Sequence, residues 1–106
     1  MAGQRRRDVR PEPSVGVTVF VPGPLRDTCE GARELALDDA PDVRTVLVAI
    51  ERRWPGLYRG VCLETGAVRR HVNLFVNSSN VRDLEGLDTP VRPGDVVTIL
   101  PAVSGG

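Results

Sequence analysis

A single stretch of helical period lies among several strand-like stretches, and this imbalance limits the fold more than any other feature of the sequence. Apolar residues alternate or run together, as in strands with a buried face, at residues 15–21, 33–37, 71–77 and 96–100. Helical spacing follows Asp42, a residue able to cap exposed amides, at Val43, Val46, Leu47 and Ile50. Because one helix cannot cover both faces of a sheet, we predict an α+β fold, a mixed sheet of four to five strands with one main helix packed on one face.

Turn residues set the boundaries between these stretches. Residues 23–31, between the first two strands, form a longer turn than a tight hairpin needs. The Pro-Gly pair at 55–56 ends the helix, and we expect residues 57–68 to be irregular, with at most one short helical turn. Residues 77–80 predict a turn, and a short strand is expected to begin at residues 81–82.

The order of the elements predicts how the strands pair. The first and last strands are expected to lie side by side and parallel at the centre, with the helix in the crossover and an antiparallel hairpin on each flank. The face toward the helix then carries Val17, Val19, Val72, Leu74, Val97 and Ile99. Phe20, Phe75 and Leu100 face outward, and we interpret them as a partner-docking patch with Arg82 and Arg92 around it.

Composition excludes several function classes. The chain has 106 residues, of which 41% are hydrophobic, enough for one domain with a modest core. Its formal net charge of zero gives no argument for a nucleic-acid partner, and no run approaches the ~20 apolar residues of a membrane-spanning helix. Asp8 and Pro11 follow the basic triplet at residues 5–7 in place of an apolar run, so the triplet is not a secretory signal. We expect a cytoplasmic protein that is monomeric when free.

Nucleophilic side chains are scarce in this chain. All fourteen basic residues are arginine, so the chain can accept an isopeptide bond from a copy of itself only at its N-terminus. Cys29 and Cys62 match neither a metal nor a redox spacing, and we expect ordinary reduced thiols. His71 has no Ser, Cys or second His nearby in sequence with which to form a dyad. The sequence therefore predicts neither a catalytic nor a metal site.

The working part of the chain is predicted to be its C-terminus. The last strand leads directly into Pro101-Ala102-Val103-Ser104-Gly105-Gly106. Two residues without side chains let an extended end enter a cleft too narrow for bulkier residues. The five residues beyond Pro101 reach roughly 16 Å, enough to put the carboxylate inside another protein. We therefore divide the chain into a flexible Arg- and Pro-rich tail at 1–13, a folded domain at 14–101 and a flexible tail at 102–106.

Two stretches of the sequence resemble the ubiquitin-like β-grasp sulfur carriers of the MoaD/ThiS type. One is residues 72–77 with the following 81–82, and the other is residues 93–106, from a Pro-Gly-Asp turn to the final Gly-Gly. The Leu-Pro-Ala-Val-x-Gly-Gly ending, with His71 before the third strand, is most similar to the actinobacterial branch that supplies sulfur for cysteine biosynthesis. The resemblance covers residues 14–106 and is most specific at the C-terminus.

The resemblance implies a chemistry for the tail. A separate adenylating enzyme would activate the Gly106 carboxylate with ATP and magnesium, and sulfur would then replace AMP to give a thiocarboxylate. In the cysteine branch the acceptor is an activated serine derivative held by a PLP-dependent cysteine synthase, and a metalloprotease releases the product and restores Gly105-Gly106. The carrier is implied to be no enzyme and to bind no cofactor or metal itself.

Other destinations stay open at this point. The same ending fits the small subunit of molybdopterin synthase, whose tail inserts permanently into a large catalytic subunit, or a carrier for the thiamin thiazole. A ubiquitin-like modifier would instead form amide bonds to target lysines. An interaction domain with an accidental Gly-Gly is the last alternative, and it would keep its activity after deletion of Gly105 and Gly106.

Overall fold

The computed structural model describes residues 16–101, in which a five-stranded sheet packs against two α-helices. The strands are β1 (Val17–Phe20), β2 (Glu34–Leu37), β3 (Val72–Val76), β4 (Ser79–Asn80) and β5 (Val96–Pro101). The helices are α1 (Val43–Arg53) and α2 (Pro55–Val61), and 3-10 helices occupy Gly23–Cys29, Val81–Asp83 and Gly86–Asp88. The predicted α+β class is confirmed, and the predicted tails at 1–13 and 102–106 lie outside the described residues.

The strands lie in the order β2-β1-β5-β3-β4. β1 and β5 are parallel neighbours at the centre, with Val19 opposite Val97. β2 pairs antiparallel with β1, and β3 pairs antiparallel with both β5 and β4. The prediction of a central parallel pair with antiparallel strands on both sides is therefore confirmed. Two parallel strands need a long crossover connection between them, and the connection from β1 to β5 contains the helices.

The core lies between the sheet and the helices. The residues predicted to face the helix are each at most 2% exposed, namely Val17, Val19, Val72, Leu74, Val97 and Ile99. The side of α1 that faces the sheet is completely buried at Val43, Val46 and Ile50. Asp42 begins this helix as predicted, since its Oδ1 accepts a hydrogen bond of 2.8 Å from the Thr45 amide. The Thr45 hydroxyl and amide together hold the pKa of the Asp42 carboxyl below its usual value.

The helix α2 corrects the prediction that residues 57–68 are irregular. Pro55 ends α1, but its fixed φ and missing N–H suit the first turn of a helix, and α2 begins at this residue. The inner side of α2 is completely buried at Leu57 and Val61. A Cβ added at Gly60 would lie 2.7 Å from a methyl carbon of the 3-10 helix before β2, so glycine permits close packing there. Seven residues with two glycines carry too little helical period to be recognised in the sequence.

The β3–β4 hairpin is tighter than predicted. Residues 77–80 were expected to form a turn, but β4 takes up the last two of them, with Phe75 opposite Asn80. The strand predicted at residues 81–82 is wrong, because Val81–Asp83 is a 3-10 helix. Asn77 has a φ of 56°, in the left-handed region that Asn tolerates better than most residues, and this allows the early reversal of the chain.

The long turn predicted at residues 23–31 is largely a 3-10 helix, Gly23–Cys29. Its last residue, Cys29, is 2% exposed and belongs to the core, so this connection is packed against the domain. Among the helices of residues 16–101, none is long and apolar enough to cross a membrane.

Candidate functional site

The outward face of the sheet carries a row of side chains across its three central strands. Phe20 on β1 and Phe75 on β3 are both paired with Thr98 on β5, so the three residues lie side by side. Neighbouring strands are about 4.8 Å apart, which separates the two phenylalanine Cα atoms by roughly 10 Å. Phe20 is 40% exposed and Phe75 is half-buried, so the row presents apolar surface to solvent.

Leu100 lies one row closer to the end of β5. It is 46% exposed and pairs with Asn73 on β3. Residues two apart on a strand share a face, so Leu100 lies on the same side of the sheet as Thr98. We refer to Phe20, Phe75, Thr98 and Leu100 together as the outward patch. Exposed apolar side chains gathered in this way on one face are typical of protein-binding surfaces.

Arg82 is held beside the Leu100 end of the outward patch. Its Nη1 donates to Asn73 Oδ1, and its Nη2 donates to the Arg69 carbonyl at 3.2 Å. Asn80 completes the cluster, because its Nδ2 donates to Asn73 Oδ1 at 3.3 Å while its Oδ1 accepts from the Arg82 amide at 2.9 Å. Asn73 is the strand partner of Leu100, so the guanidinium group lies next to the part of the patch nearest the C-terminus.

Arg92 lies in the turn that precedes β5. Its backbone amide donates to Asp95 Oδ2 at 2.9 Å. That bond and one from the Asn77 side chain hold the pKa of the Asp95 carboxyl below its usual value. Leu100 is four residues beyond Val96, about 14 Å along the strand, so Arg92 does not border the same end of the patch as Arg82.

The root of the predicted tail, at the end of β5, lies beside the start of β3. Pro101, the last described residue, pairs with Val72. The exposed Arg70 and His71 lie in the turn immediately before Val72. The turn that carries these two basic residues therefore adjoins Pro101. The predicted tail residues Ala102, Val103, Ser104, Gly105 and Gly106 lie outside the described residues.

Both thiols lie in the core and away from solvent. Cys29 and Cys62 are free, as predicted, and each is 2% exposed. Cys29 Sγ donates to the Ala32 carbonyl at 3.6 Å. Burial raises the pKa of the Cys62 thiol, which lies beside the Tyr58 hydroxyl, and burial raises the pKa of the Cys29 thiol as well. Both groups are therefore protonated at neutral pH and serve as packing atoms.

Sequence reasoning identified the apolar members of this surface and missed the polar ones. Thr98 joins the two phenylalanines, and Asn73 and Asn80 hold Arg82 in place. The alternation along β3 indicates that Asn73 shares the outward face with Phe75. Its contacts depend on the strand register, which no local pattern in the sequence contains.

Comparison with known families and proteins agrees with this architecture. The profile of the ThiS family matches residues 19–106. The sulfur carrier protein CysO of Mycobacterium bovis is 34% identical over 94 residues, which cover 87% of this chain and 100% of the relative. Small archaeal modifier protein 3 of Haloferax volcanii is 39% identical over 70 residues, covering 66% of this chain and 75% of the relative.

Solved structures show the same fold. A chain in the crystal structure of the Amycolatopsis orientalis BexX/CysO complex matches with a TM-score of 0.78 at 34% identity, covering 86% of this chain and 100% of that one. The crystal structure of Mycobacterium tuberculosis CysO matches with a TM-score of 0.76 at 33% identity, covering 83% of this chain and 100% of that one. These matches confirm the ubiquitin-like β-grasp fold predicted from the sequence.

Proposed function

Because this chain belongs to the ThiS family and is a ubiquitin-like sulfur carrier, we propose that a partner enzyme adenylates its Gly106 carboxylate and that sulfur then replaces AMP. The product is a C-terminal thiocarboxylate. The observation that supports this most is the family match, which runs through the β-grasp domain to Gly105 and Gly106. The chain holds the acyl group and its partners carry out the chemistry.

The carboxylate needs activation because it is a poor electrophile. Its negative charge repels nucleophiles, and its oxygen is a bad leaving group. ATP and magnesium at the partner supply the AMP group, and the C–O bond to AMP breaks as the C–S bond forms. The resulting thiocarboxylate is largely ionised at neutral pH and soft, so it attacks carbon electrophiles that a carboxylate would not.

The outward patch is proposed as the surface on which the activating enzyme docks. Phe20 and Leu100 are 40% and 46% exposed, and burial of that remaining apolar surface would contribute about 1 kcal/mol for each side chain. Arg82, fixed by Asn73 beside Leu100, is suited to pair with an acidic residue of the enzyme. The tail begins at the same end of β5, so docking here would direct Gly106 into the enzyme.

Cysteine biosynthesis is the proposed destination of the sulfur. The 34% identity to CysO extends over that relative's whole length, which supports the same branch of the family. The acceptor would be an activated serine derivative on a PLP-dependent cysteine synthase, and a metalloprotease would release the product and regenerate Gly106. The cytoplasmic location and the monomeric free state stay predictions.

Protein modification is a second candidate function. The match to small archaeal modifier protein 3 supports it, because that relative is 39% identical over two thirds of this chain. An adenylated Gly106 would then form amide bonds to lysines of target proteins, and covalent conjugates of high mass would accumulate. A third arrangement, the small subunit of molybdopterin synthase, would appear as a stable heterotetramer on purification.

The test is the intact mass of the purified chain before and after incubation with ATP, magnesium, a sulfur donor and a cognate adenylating enzyme. The expected result is a gain equal to one oxygen exchanged for sulfur, located in the C-terminal peptide. A chain that lacks Gly106 is the matched control and should show no gain. No change in the full chain, with an enzyme proven active on a known carrier, would contradict the proposal.

A further inference from the structure

An activated C-terminus is reactive toward more than its intended acceptor. An acyl adenylate is attacked by amines and thiolates, so a lysine or an ionised cysteine on the carrier would compete with sulfur for the acyl carbon. A nucleophile on the same chain has an advantage, because a short flexible tether gives it an effective concentration in the millimolar range. The surface that the tail can reach therefore decides whether the activated carrier survives.

This chain offers almost none of these nucleophiles. It contains no lysine, and its fourteen basic residues are all arginine, whose guanidinium group stays protonated and does not attack acyl carbons. Its two thiols, Cys29 and Cys62, are each 2% exposed, so the tail cannot reach them in the folded domain. The α-amino group is the one amine that the sequence retains.

The absence of lysine matters most at the arginines beside the tail root. Arg70 is exposed and lies two residues before Val72, the strand partner of Pro101. Arg82 is exposed and is hydrogen-bonded to the strand partner of Leu100. Both lie well within the roughly 16 Å that the five following residues can span. A lysine at either position would be acylated by its own tail.

We infer that this carrier is self-inert: its activated C-terminus forms no stable adduct with its own side chains or with those of a second copy, so the α-amino group is the one acceptor that a copy can offer. The inference rests on the proposed activation of Gly106. The exposed His71 leaves no stable adduct, because an acyl-imidazole is itself an acyl donor and is hydrolysed to the free carboxylate. Copies of a self-inert carrier are therefore not linked through side chains, whichever acceptor the carrier serves.

The test installs lysines and supplies an activated tail without any partner enzyme. The full chain is prepared as a C-terminal thioester of a small thiol at Gly106, by cleavage of an intein fusion. The variants are Arg70→Lys and Arg82→Lys at the tail root. The control is Arg44→Lys on the first turn of α1. The neighbouring Val43 amide donates to the Thr89 carbonyl, so this turn lies near the segment that leads into the start of β5, the end of the strand opposite the tail root.

The expected product is an internal amide. The lysine nitrogen attacks the acyl carbon, the C–N bond forms, the C–S bond breaks, and the small thiol leaves with the proton. The mass falls to one water below that of the free acid, and peptide mapping links residue 70 or 82 to Gly106. We expect amide formation in these two variants to be at least about tenfold faster than in Arg44→Lys, since their effective concentration is higher. The wild-type thioester should form no adduct at a side chain.

Two results would overturn the inference. One is a stable adduct of the wild-type chain at any of its side chains. The other is a failure of both tail-root variants, folded by circular dichroism, to form an amide. ATP–pyrophosphate exchange of the wild-type chain with an adenylating enzyme is measured in parallel. Its absence would contradict the proposed function alone, because the thioester experiment does not depend on that enzyme.

Discussion

The side-chain amide of Asn77 donates a hydrogen bond of 3.1 Å to Asp95 Oδ1 and so joins the β3–β4 turn to the turn that precedes β5. Each residue makes a second bond, since Asn77 Oδ1 accepts from the Val96 amide at 3.0 Å and Asp95 Oδ2 accepts from the Arg92 amide at 2.9 Å. The pair thereby fixes the start of β5, the strand whose other end leads into the tail.

Asp95 should make the stability of the domain depend on pH. Its folded pKa is lowered by the bonds from Arg92 and Asn77, so the stabilisation is present above the unfolded value of about 3.9 and is lost as the pH falls through the folded pKa. In Asp95→Asn one oxygen must serve both donors, and we expect a loss of about 1 kcal/mol at pH 7. Urea unfolding at pH 7 and at pH 3 measures the difference from wild type, which should shrink at the lower pH.

The control for this experiment is Asp88→Asn. Asp88 pairs with Arg44 at 3.0 Å, but the two side chains are 70% and 57% exposed, and such surface pairs contribute about 0–1 kcal/mol. A difference between Asp95→Asn and wild type that is as large at pH 3 as at pH 7 would mean that the carboxylate form of Asp95 does not stabilise the turn.

Gly16 should tolerate no side chain. Its φ is +54°, and an added Cβ would lie 2.0 Å from the Leu37 carbonyl oxygen, so alanine would force β1 and β2 apart at that end. We expect Gly16→Ala to lower the free energy of unfolding by about 2–4 kcal/mol. Gly66→Ala is the matched control, since Gly66 has a φ of +90° and nothing within 4 Å of its added Cβ. Equal losses in the two variants would indicate that backbone strain alone matters.

Leu100 should contribute to recognition by the adenylating enzyme. We expect Leu100→Ser to raise the KM for the carrier at least about tenfold, equal to about 1.4 kcal/mol, with little change in kcat or stability. Val48→Ser provides the comparison, because Val48 on α1 is 43% exposed against 46% for Leu100 but lies on a helix and not on the outward patch. Equal effects on KM would rule out the patch as the docking surface.

Gly106 should be essential for sulfur loading and dispensable for folding. Deleting it, or replacing it with Ala, should abolish or severely slow thiocarboxylation while the melting temperature stays within a few degrees of wild type. The physical reason is that Gly106 follows the end of β5 in the sequence, so its removal takes no residue from the core that the structure describes. Normal sulfur loading of the shortened chain would mean that the reaction does not require the Gly106 carboxylate. An unfolded product would contradict the assignment of residues 102–106 to a tail.

The sequence by itself determined the main strands, the start of α1 and the two faces of the sheet. Alternation assigned Val19 to the core and Phe20 to the outward face, because adjacent residues of a strand point to opposite sides. Asp42 marked the start of α1, because a capping bond to Thr45 spans only three residues. These features depend on interactions between near neighbours, which a local pattern records.

Only the tertiary structure decided the features that join distant parts of the chain. The helix α2 forms because Leu57 and Val61 are buried against the core, although its seven residues show little periodicity. Register places Arg82 beside Leu100, whereas Arg92 lies in the turn before β5, so the two arginines predicted to surround the patch lie toward opposite ends of that strand. Strand register and helix docking are set by packing between residues far apart in sequence, so no short stretch of the chain specifies them.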